Sequence, residues 1–429
     1  MAEEVVVGVD VGSSGSRAVA IDRRGGVVAT AEADHLSSPF PLGQADPAEW
    51  RKGAVTAISR LDVHPAAIGI GGQGPTTVAA NGVRALTLRH PAGATGGLAS
   101  QPIAQAAALR QIVGSEVAPR QLWDWLAASL GGDGSIQSVW PGSKPLDGFG
   151  DPVPVGTAVG LTSADSGLPA GVPLVPGCND AFMTAWGSAI DTPGKAFDPG
   201  GTTGGLGVAV RASEHPAVAA FGMTSHVPGV VIVGGPTAAH GAMMDWWSRI
   251  TGRPVDELIA VAAAVPPGAH GVMVLPFFEG ERAPRWNTSL RAEIVGLHLE
   301  HGTEVVTRAL LESAAYGLAH IARKLADQGV GLDRVVCSGA TSRSRLWTEI
   351  KAAVLEVPFD VPECEQMASY GAALTAGAGI GWWPRPGEGG SGSWPQPVMT
   401  TVAPKPLEVY RANVDKFIAL GDAAEARVG

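Results

Sequence analysis

Three cysteines in 429 residues, set far apart at Cys178, Cys337 and Cys364, leave no disulfide framework to read. No two of them have the spacing of a zinc knuckle. Basic residues are also in short supply: 30 Lys and Arg against 40 Asp and Glu give a formal net charge of −10. A nucleic-acid partner usually needs a basic face, so none is expected. No apolar run nears the length that spans a bilayer. The opening Met1-Ala2-Glu3-Glu4 has no basic n-region and leads straight into a strand. The expectation is a soluble cytoplasmic protein without a membrane partner. Two familiar motifs are missing as well. Gly194-Lys195-Ala196 lacks both the upstream glycine and the following hydroxyl of a Walker A loop, and no His-Glu-x-x-His occurs. The ten histidines are scattered, and each reads as structural or solvated.

The composition that remains is that of a packed protein, with 45% hydrophobic and 16% charged residues. The length exceeds one ordinary core and suits two domains, here divided as 1–193 and 194–429 at the linker Asp191-Thr192-Pro193-Gly194. With 59 glycines and 33 prolines, many turns joining short elements are expected.

Two glycine-hydroxyl turns carry the most information. Val5 to Val9 runs into Asp10-Val11-Gly12-Ser13-Ser14-Gly15-Ser16-Arg17, and Phe197-Asp198-Pro199 runs into Gly200-Gly201-Thr202-Thr203-Gly204-Gly205. Each reads as a β-hairpin tip flanked by strands. Such a tip brings backbone N–H groups close to an anion with no Cβ in the way. Two of them point to a nucleotide held between similar halves, and so to phosphoryl transfer.

The pattern along the chain agrees with an α/β protein whose second half echoes the first. Strands are expected at 5–9, 17–22, 27–33, 67–71 and 172–175, with helices at 47–61, 102–113, 120–130 and 180–190. After the linker come strands at 202–210, 230–233, 272–278 and 334–337. The helices there are 239–251, 255–264, 304–328, 344–355, 367–377 and 407–426. Residues 88–100 read as a loop, 131–155 as mostly turns, and 383–397 as a Gly/Pro/Ser-rich surface loop. The twelve tryptophans, among them Trp246-Trp247 and Trp382-Trp383, read as core and rim.

Two carboxylates stand out. Asp10 ends a strand beside the first turn, where it can hold Mg²⁺ against phosphates or bond the turn backbone; the neighbouring Gly12, Ser13, Ser14 and Arg17 favour the ligand role. Asp180 follows Pro176-Gly177-Cys178-Asn179 and opens an apolar helix. It can act as a helix N-cap, worth on the order of 1 kcal/mol, or as a general base for an attacking hydroxyl.

These motifs resemble the FGGY carbohydrate kinases, of the sugar kinase, hexokinase, actin and Hsp70 superfamily. The 10–17 turn is similar to the family's first phosphate motif, and Gly201-Thr202-Thr203 to the second. Gly177-Cys178-Asn179-Asp180, with Gly187 seven residues on, is similar to the segment that carries the catalytic aspartate. Leu275-Pro276-Phe277-Phe278-Glu279-Gly280-Glu281-Arg282-Ala283-Pro284-Arg285-Trp286 is the most specific match, with Gly296-Leu297 and Arg308-Ala309-Leu310-Leu311-Glu312 after it. Ser338-Gly339-Ala340 and Trp347 resemble the adenosine motif, and Ala368 to Ala373 the helix that follows. Within the family the chain is most similar to xylulokinase-like proteins.

The resemblance implies two ribonuclease H-like domains of the actin and hexokinase type, with a nucleotide cleft between them. It implies ATP and Mg²⁺, with Asp10 and Asp180 toward the metal. Gly12, Ser13, Ser14 and Arg17 would meet phosphates from one side, and Gly201, Thr202 and Thr203 from the other. Gly339 and Ala340 would meet the nucleoside. Asp180 would take the proton of a primary hydroxyl of D-xylulose or a related ketopentose or polyol, and Gln73 and Trp50 are candidates for the sugar pocket. The sugar side departs from the pattern: Gly74-Pro75 follows Gly72-Gln73 where xylulokinases usually continue Met-His, and the usual Trp-x-Asp-x-Arg segment is missing near Leu88. This shortening keeps a second reading open, a sugar- or nucleotide-binding protein of the same fold without catalysis. A third, an actin- or Hsp70-like ATPase, is disfavoured by the Gly280-Glu281-Arg282 segment. Dimers are common among such kinases, and no interface is legible in the sequence.

Overall fold

The computed structural model of the chain describes residues 4–36, 40–93, 101–137, 149, 152–201, 203–219, 222–237 and 239–428. Two compact units emerge. The first contains Met1–Asp191, Ala220–Val230 and Gln366–Val398; the second contains Thr192–Ala219, Val231–Glu365 and Met399–Gly429. The sequence reading divides the chain once, at 193/194. In the structure the chain first changes units between Asp191 and Thr192, then returns twice to the first unit. The longer return has a packing cause, described below.

The first unit is built on a five-stranded sheet. Its order is Leu174–Asn179, Pro65–Gly72, Val5–Val11, Gly15–Ile21, Val27–Asp34. The last three form an antiparallel meander, while the first two run parallel to Val5–Val11. All seven residues of Val5–Val11 are buried, as suits a valine-rich central strand covered on both faces. Helix Pro47–Ser59 starts where Asp46 accepts the Ala48 N–H at 2.9 Å and proline opens the first turn.

The second unit repeats that topology. Its strands run Val230–Pro236, Gly205–Arg211, Lys195–Asp198, Arg334–Cys337, Phe359–Pro362, and Met399–Val402 is added at the edge. Lys195–Asp198 is antiparallel to Gly205–Arg211 and parallel to Arg334–Cys337, which is in turn parallel to Phe359–Pro362. In both units the glycine turn therefore joins the same two strands of the same sheet order. The echo between the halves is a repeat of topology. Helix Thr303–Ala326 forms the spine of this unit's core, with 18 of its residues buried. Arg308, Glu312, Tyr316 and Tyr410 close a buried hydrogen-bond network on that spine. Arg285 fills a second one, reaching Glu281 and Asp422 at 2.7 Å each and the Ile418 carbonyl at 3.0 Å. The motif residues Arg285, Arg308 and Glu312 thus serve the framework.

Helix Met367–Gly379 lies flush on the first unit's sheet. Gly8 and Gly69 are register partners on neighbouring strands. A Cβ on Gly8 would sit 1.9 Å from the Ser369 carbonyl oxygen, and one on Gly69 would sit 1.8 Å from that of Ala372. The other side of the helix meets helix Asp180–Gly187 equally closely, since a Cβ on Gly371 would fall 2.0 Å from the Met183 carbonyl oxygen. Backbone packs on backbone at both faces, so only glycine fits.

Two expectations are corrected. The 383–397 segment is irregular, but it is anchored into the first unit. Trp383 and Trp394 are buried, and their indole N–H groups donate to the carbonyls of Leu374 and Pro384 at 2.7 and 2.8 Å. Its Gly, Pro and Ser content hid those anchors. A small antiparallel sheet of Gln44–Ala45, Ala85–Leu86, Thr77–Ala79 and Pro119–Gln121 also forms where no strands are expected. Strands of two or three residues show no period to read. Of the 88–100 loop, residues 94–100 lie outside the described residues.

Gly69→Ala is expected to lower Tm by at least about 5 °C, because backbone atoms must part to admit one methyl group. Gly331→Ala, with nothing within 4 Å of the added carbon, should melt like the parent. Thermal melts of the two variants beside the parent check this.

Candidate active site

The first site grows from the carboxyl ends of three adjacent parallel strands, the place where α/β sheets bind ligands. Val5–Val11 ends in the first glycine turn, Pro65–Gly72 leads to Gln73, and Leu174–Asn179 leads to Asp180. Asp10 pairs in register with Gly71, and Asn179 with Gly72. Gly71 lies beside Asp10: a Cβ there would lie 3.7 Å from Asp10 Oδ1 and 3.0 Å from the Met183 side chain.

Asp10 is buried, and its Oδ1 has no hydrogen-bond partner. Burial, followed by the negative charge of Asp180, pushes its carboxyl up to about 7, against the pull of Arg17. Asp180 is the first residue of its helix. The N-cap is Asn179, whose Oδ1 accepts the Phe182 N–H at 3.0 Å. Asp180 accepts the Ala181 N–H at 2.9 Å, and burial still pushes its carboxyl up to about 6. Capping is therefore done by the neighbour, and Asp180 faces a second carboxylate. A buried carboxylate facing a second like charge with no cation beside it is costly. A hard oxygen donor set of this kind suits Mg²⁺, which is commonly held by one or two carboxylates plus phosphate oxygens. Among the described residues no three His, Cys, Asp or Glu side chains converge as a metal cage.

The first turn closes by the Gly12 N–H donating to the Gly15 carbonyl at 2.9 Å, with Ser13 and Ser14 exposed at the tip. Arg17 pairs in register with Asp10 and forms an ion pair with Glu32 at 3.4 Å. Gln73 donates from Nε2 to the Gly12 carbonyl at 3.3 Å, so it braces the turn. Trp50 is buried on helix Pro47–Ser59.

In the second unit the other turn and the Ser338–Gly339–Ala340 segment come together. The Thr341 N–H donates to the Gly200 carbonyl, and the Gly241 N–H to that of Gly201, each at 3.0 Å. A Cβ on Gly200 would lie 2.1 Å from the Ser338 carbonyl oxygen, and one on Gly339 2.5 Å from that of Pro199. Gly339 has a φ of +71°. Gly201 and Thr203 are partly exposed on this double turn and Ala340 is exposed; Thr202 lies outside the described residues.

The sequence reading missed the group beneath this double turn. Lys351 and Asp198 are fully buried and paired at 2.6 Å, with His240, Cys337 and Thr341 around them. One signal was available: Lys351 occupies the apolar stripe of its helix, with Trp347, Ile350 and Val354.

These features first define a class, the two-domain actin- and hexokinase-like fold. The solved xylulose kinase of Rhodospirillum rubrum shares it with a TM-score of 0.81, covering 99% of this chain and 100% of that chain at 24% identity. The gluconate kinase of Lactobacillus acidophilus shares it with a TM-score of 0.82, covering 99% of both chains at 17% identity. Within that class, residues 200–380 match the model of the C-terminal domain of the FGGY family of carbohydrate kinases. The xylulose kinase of Staphylococcus epidermidis strain RP62A is 25% identical over 236 residues, 53% of this chain and 47% of its own length. The gluconokinase of Bacillus subtilis is 26% identical over 224 residues, 48% of this chain and 43% of its own length. The chain thus spans about half the length of the curated relatives it matches. Among the described residues no helix is long and apolar enough to cross a membrane.

The raised Asp10 carboxyl sets a sign for stability. The folded state binds its proton more tightly than the unfolded chain, so this group favours folding at low pH and disfavours it as pH rises from about 4 through 7. With divalent metal chelated, Asp10→Asn should melt several degrees above the parent at pH 8, and the gap should close toward pH 5. Melting curves across that range check the sign.

Proposed function

We propose that this protein transfers the γ-phosphoryl group of ATP to a primary hydroxyl of a small sugar or polyol, with D-xylulose or a related ketopentose as the first candidate. The observation that carries the reading is the buried Asp10, with an oxygen left without a hydrogen-bond partner, under the charge of the half-buried Asp180 and next to the Gly12–Ser14 turn. The match of residues 200–380 to the FGGY C-terminal domain and the xylulose kinase and gluconokinase relatives support the acceptor class. Their mixture leaves the acceptor to experiment.

Asp180 is the base. A carboxylate whose pKa is lifted to about 6 is still ionised at neutral pH, and it holds a proton better than a solvated one. It would receive the proton of the acceptor hydroxyl as that oxygen forms its bond to phosphorus and the bond to the ADP oxygen breaks. Asp10 and Asp180 would hold Mg²⁺, which when bound neutralises charge on the phosphates. Gly12, Ser13, Ser14 and Arg17, and Gly201, Thr202 and Thr203, are the candidates to orient phosphates; Gly339 and Ala340 would meet the nucleoside. Positioning of this kind supplies most of the catalysis in phosphoryl transfer. Gln73, which braces the first turn, and Trp50, buried on its helix, are the candidates to shape the acceptor side.

An ADP-release assay with Mg²⁺ over ketopentoses, aldonates, polyols and glycerol tests the proposal. Release should depend on one acceptor class, and Asp180→Asn should lower kcat by at least about 10³-fold while ADP still binds. The kcat of the parent should fall about tenfold per pH unit below about pH 6, as Asp180 takes up its proton. ADP binding with no release for any acceptor would favour a binding protein that has lost the reaction.

A further inference from the structure

The buried group under the double turn does more than fill the core. Lys351 and Asp198 have no exposed side-chain surface. Burying an ion pair seldom stabilises a fold more than apolar residues of the same size would, so its placement calls for a geometric reason. The hydrogen bonds supply one. Lys351 Nζ donates to Asp198 Oδ2 at 2.6 Å and to Thr341 Oγ1 at 3.2 Å. Asp198 Oδ1 accepts the Gly200 N–H at 3.1 Å, and its carbonyl accepts the Ser338 N–H at 3.0 Å. One ammonium thus grips a residue on each of the two turns, and its partner carboxylate caps the glycine where they touch.

The surroundings leave little play. The His240 ring stacks on Trp347 at 5.2 Å and 8°, with Nε2 3.7 Å from Asp198 Oδ2. Gly204 presses on the ring, since a Cβ there would fall 2.2 Å from His240 Nδ1. Burial, then Lys351, holds this imidazole far below its ordinary pKa, so it is neutral and the charges of Lys351 and Asp198 balance.

We propose that Lys351 and Asp198 are positioning residues that lock the Gly200–Gly201 turn to the Gly339–Thr341 turn, and that this lock sets the affinity for the nucleoside diphosphate. The lock fixes the backbone that meets phosphate relative to the backbone that meets the nucleoside. It acts without touching the ligand. The inference rests on the kinase reading for the identity of that ligand.

ADP binding by titration calorimetry tests it apart from turnover. Lys351→Met should weaken ADP binding at least tenfold and raise the KM for ATP similarly, with the KM for the acceptor changed less than twofold. Asp198→Asn/Lys351→Met, which leaves no unpaired charge, should regain most of the parent's Tm while ADP binding stays weak. This double variant carries the test if the single one does not fold. Parent-like ADP affinity in a folded variant, or equal loss of ADP and acceptor affinity, would overturn the lock. A parent that binds ADP but phosphorylates no acceptor would overturn the kinase reading and leave the lock to be judged by the calorimetry.

Discussion

The close contact of helix Met367–Gly379 with the first sheet is the constraint on which the first site depends. At Gly8 and Gly69 the helix touches strand backbone directly, and at Gly371 it touches the helix that Asp180 opens. Asp10 lies two residues beyond Gly8 on its strand, and Asp180 begins the helix that Gly371 meets. One helix therefore spaces the two carboxylates. Side chains between these elements would add slack, because rotamers can relax and peptide planes cannot. The same contact explains why a segment late in the chain belongs to the first unit.

The second unit reaches similar rigidity by other means. Its two turns also meet through glycine, at Gly200 and Gly339, but the contact is held from below by charge. A buried Lys–Asp pair is directional where apolar packing is not, since the ammonium and carboxylate keep their desolvation cost offset in only a few geometries. The two sheets share strand order and turn position, yet the residue after the central strand's carboxylate differs. Asp10 leads to a turn with exposed serines, whereas Asp198 is spent on the framework. One aspartate keeps an oxygen without a partner, and the other is saturated with donors. That contrast separates a residue available to ligand from one that supports the backbone.

Much of this was legible in the residues. The β-branched run before Gly12, the hydroxyl-rich tip and the Asp180 helix have local signatures, because hairpin tips and helix starts are decided by nearby backbone preferences. The anchoring of Trp383 and Trp394 was not, since a loop rich in Gly, Pro and Ser carries no period from which to read a buried side. Gln73 and Trp50 show the same limit. Their residue types fit a sugar pocket, but the structure gives one to the turn backbone and the other to the core.

By itself the sequence determined the element types, the two phosphate-type turns and the aspartates beside them. Those features depend on neighbours within a few residues. Only the tertiary structure decided that burial and the charge of Asp180 push the Asp10 carboxyl toward protonation, and that Lys351 reaches Asp198 across 153 positions. Each of these rests on burial and on contacts between distant segments. Charge becomes costly, and so becomes informative, only where folding has removed the water.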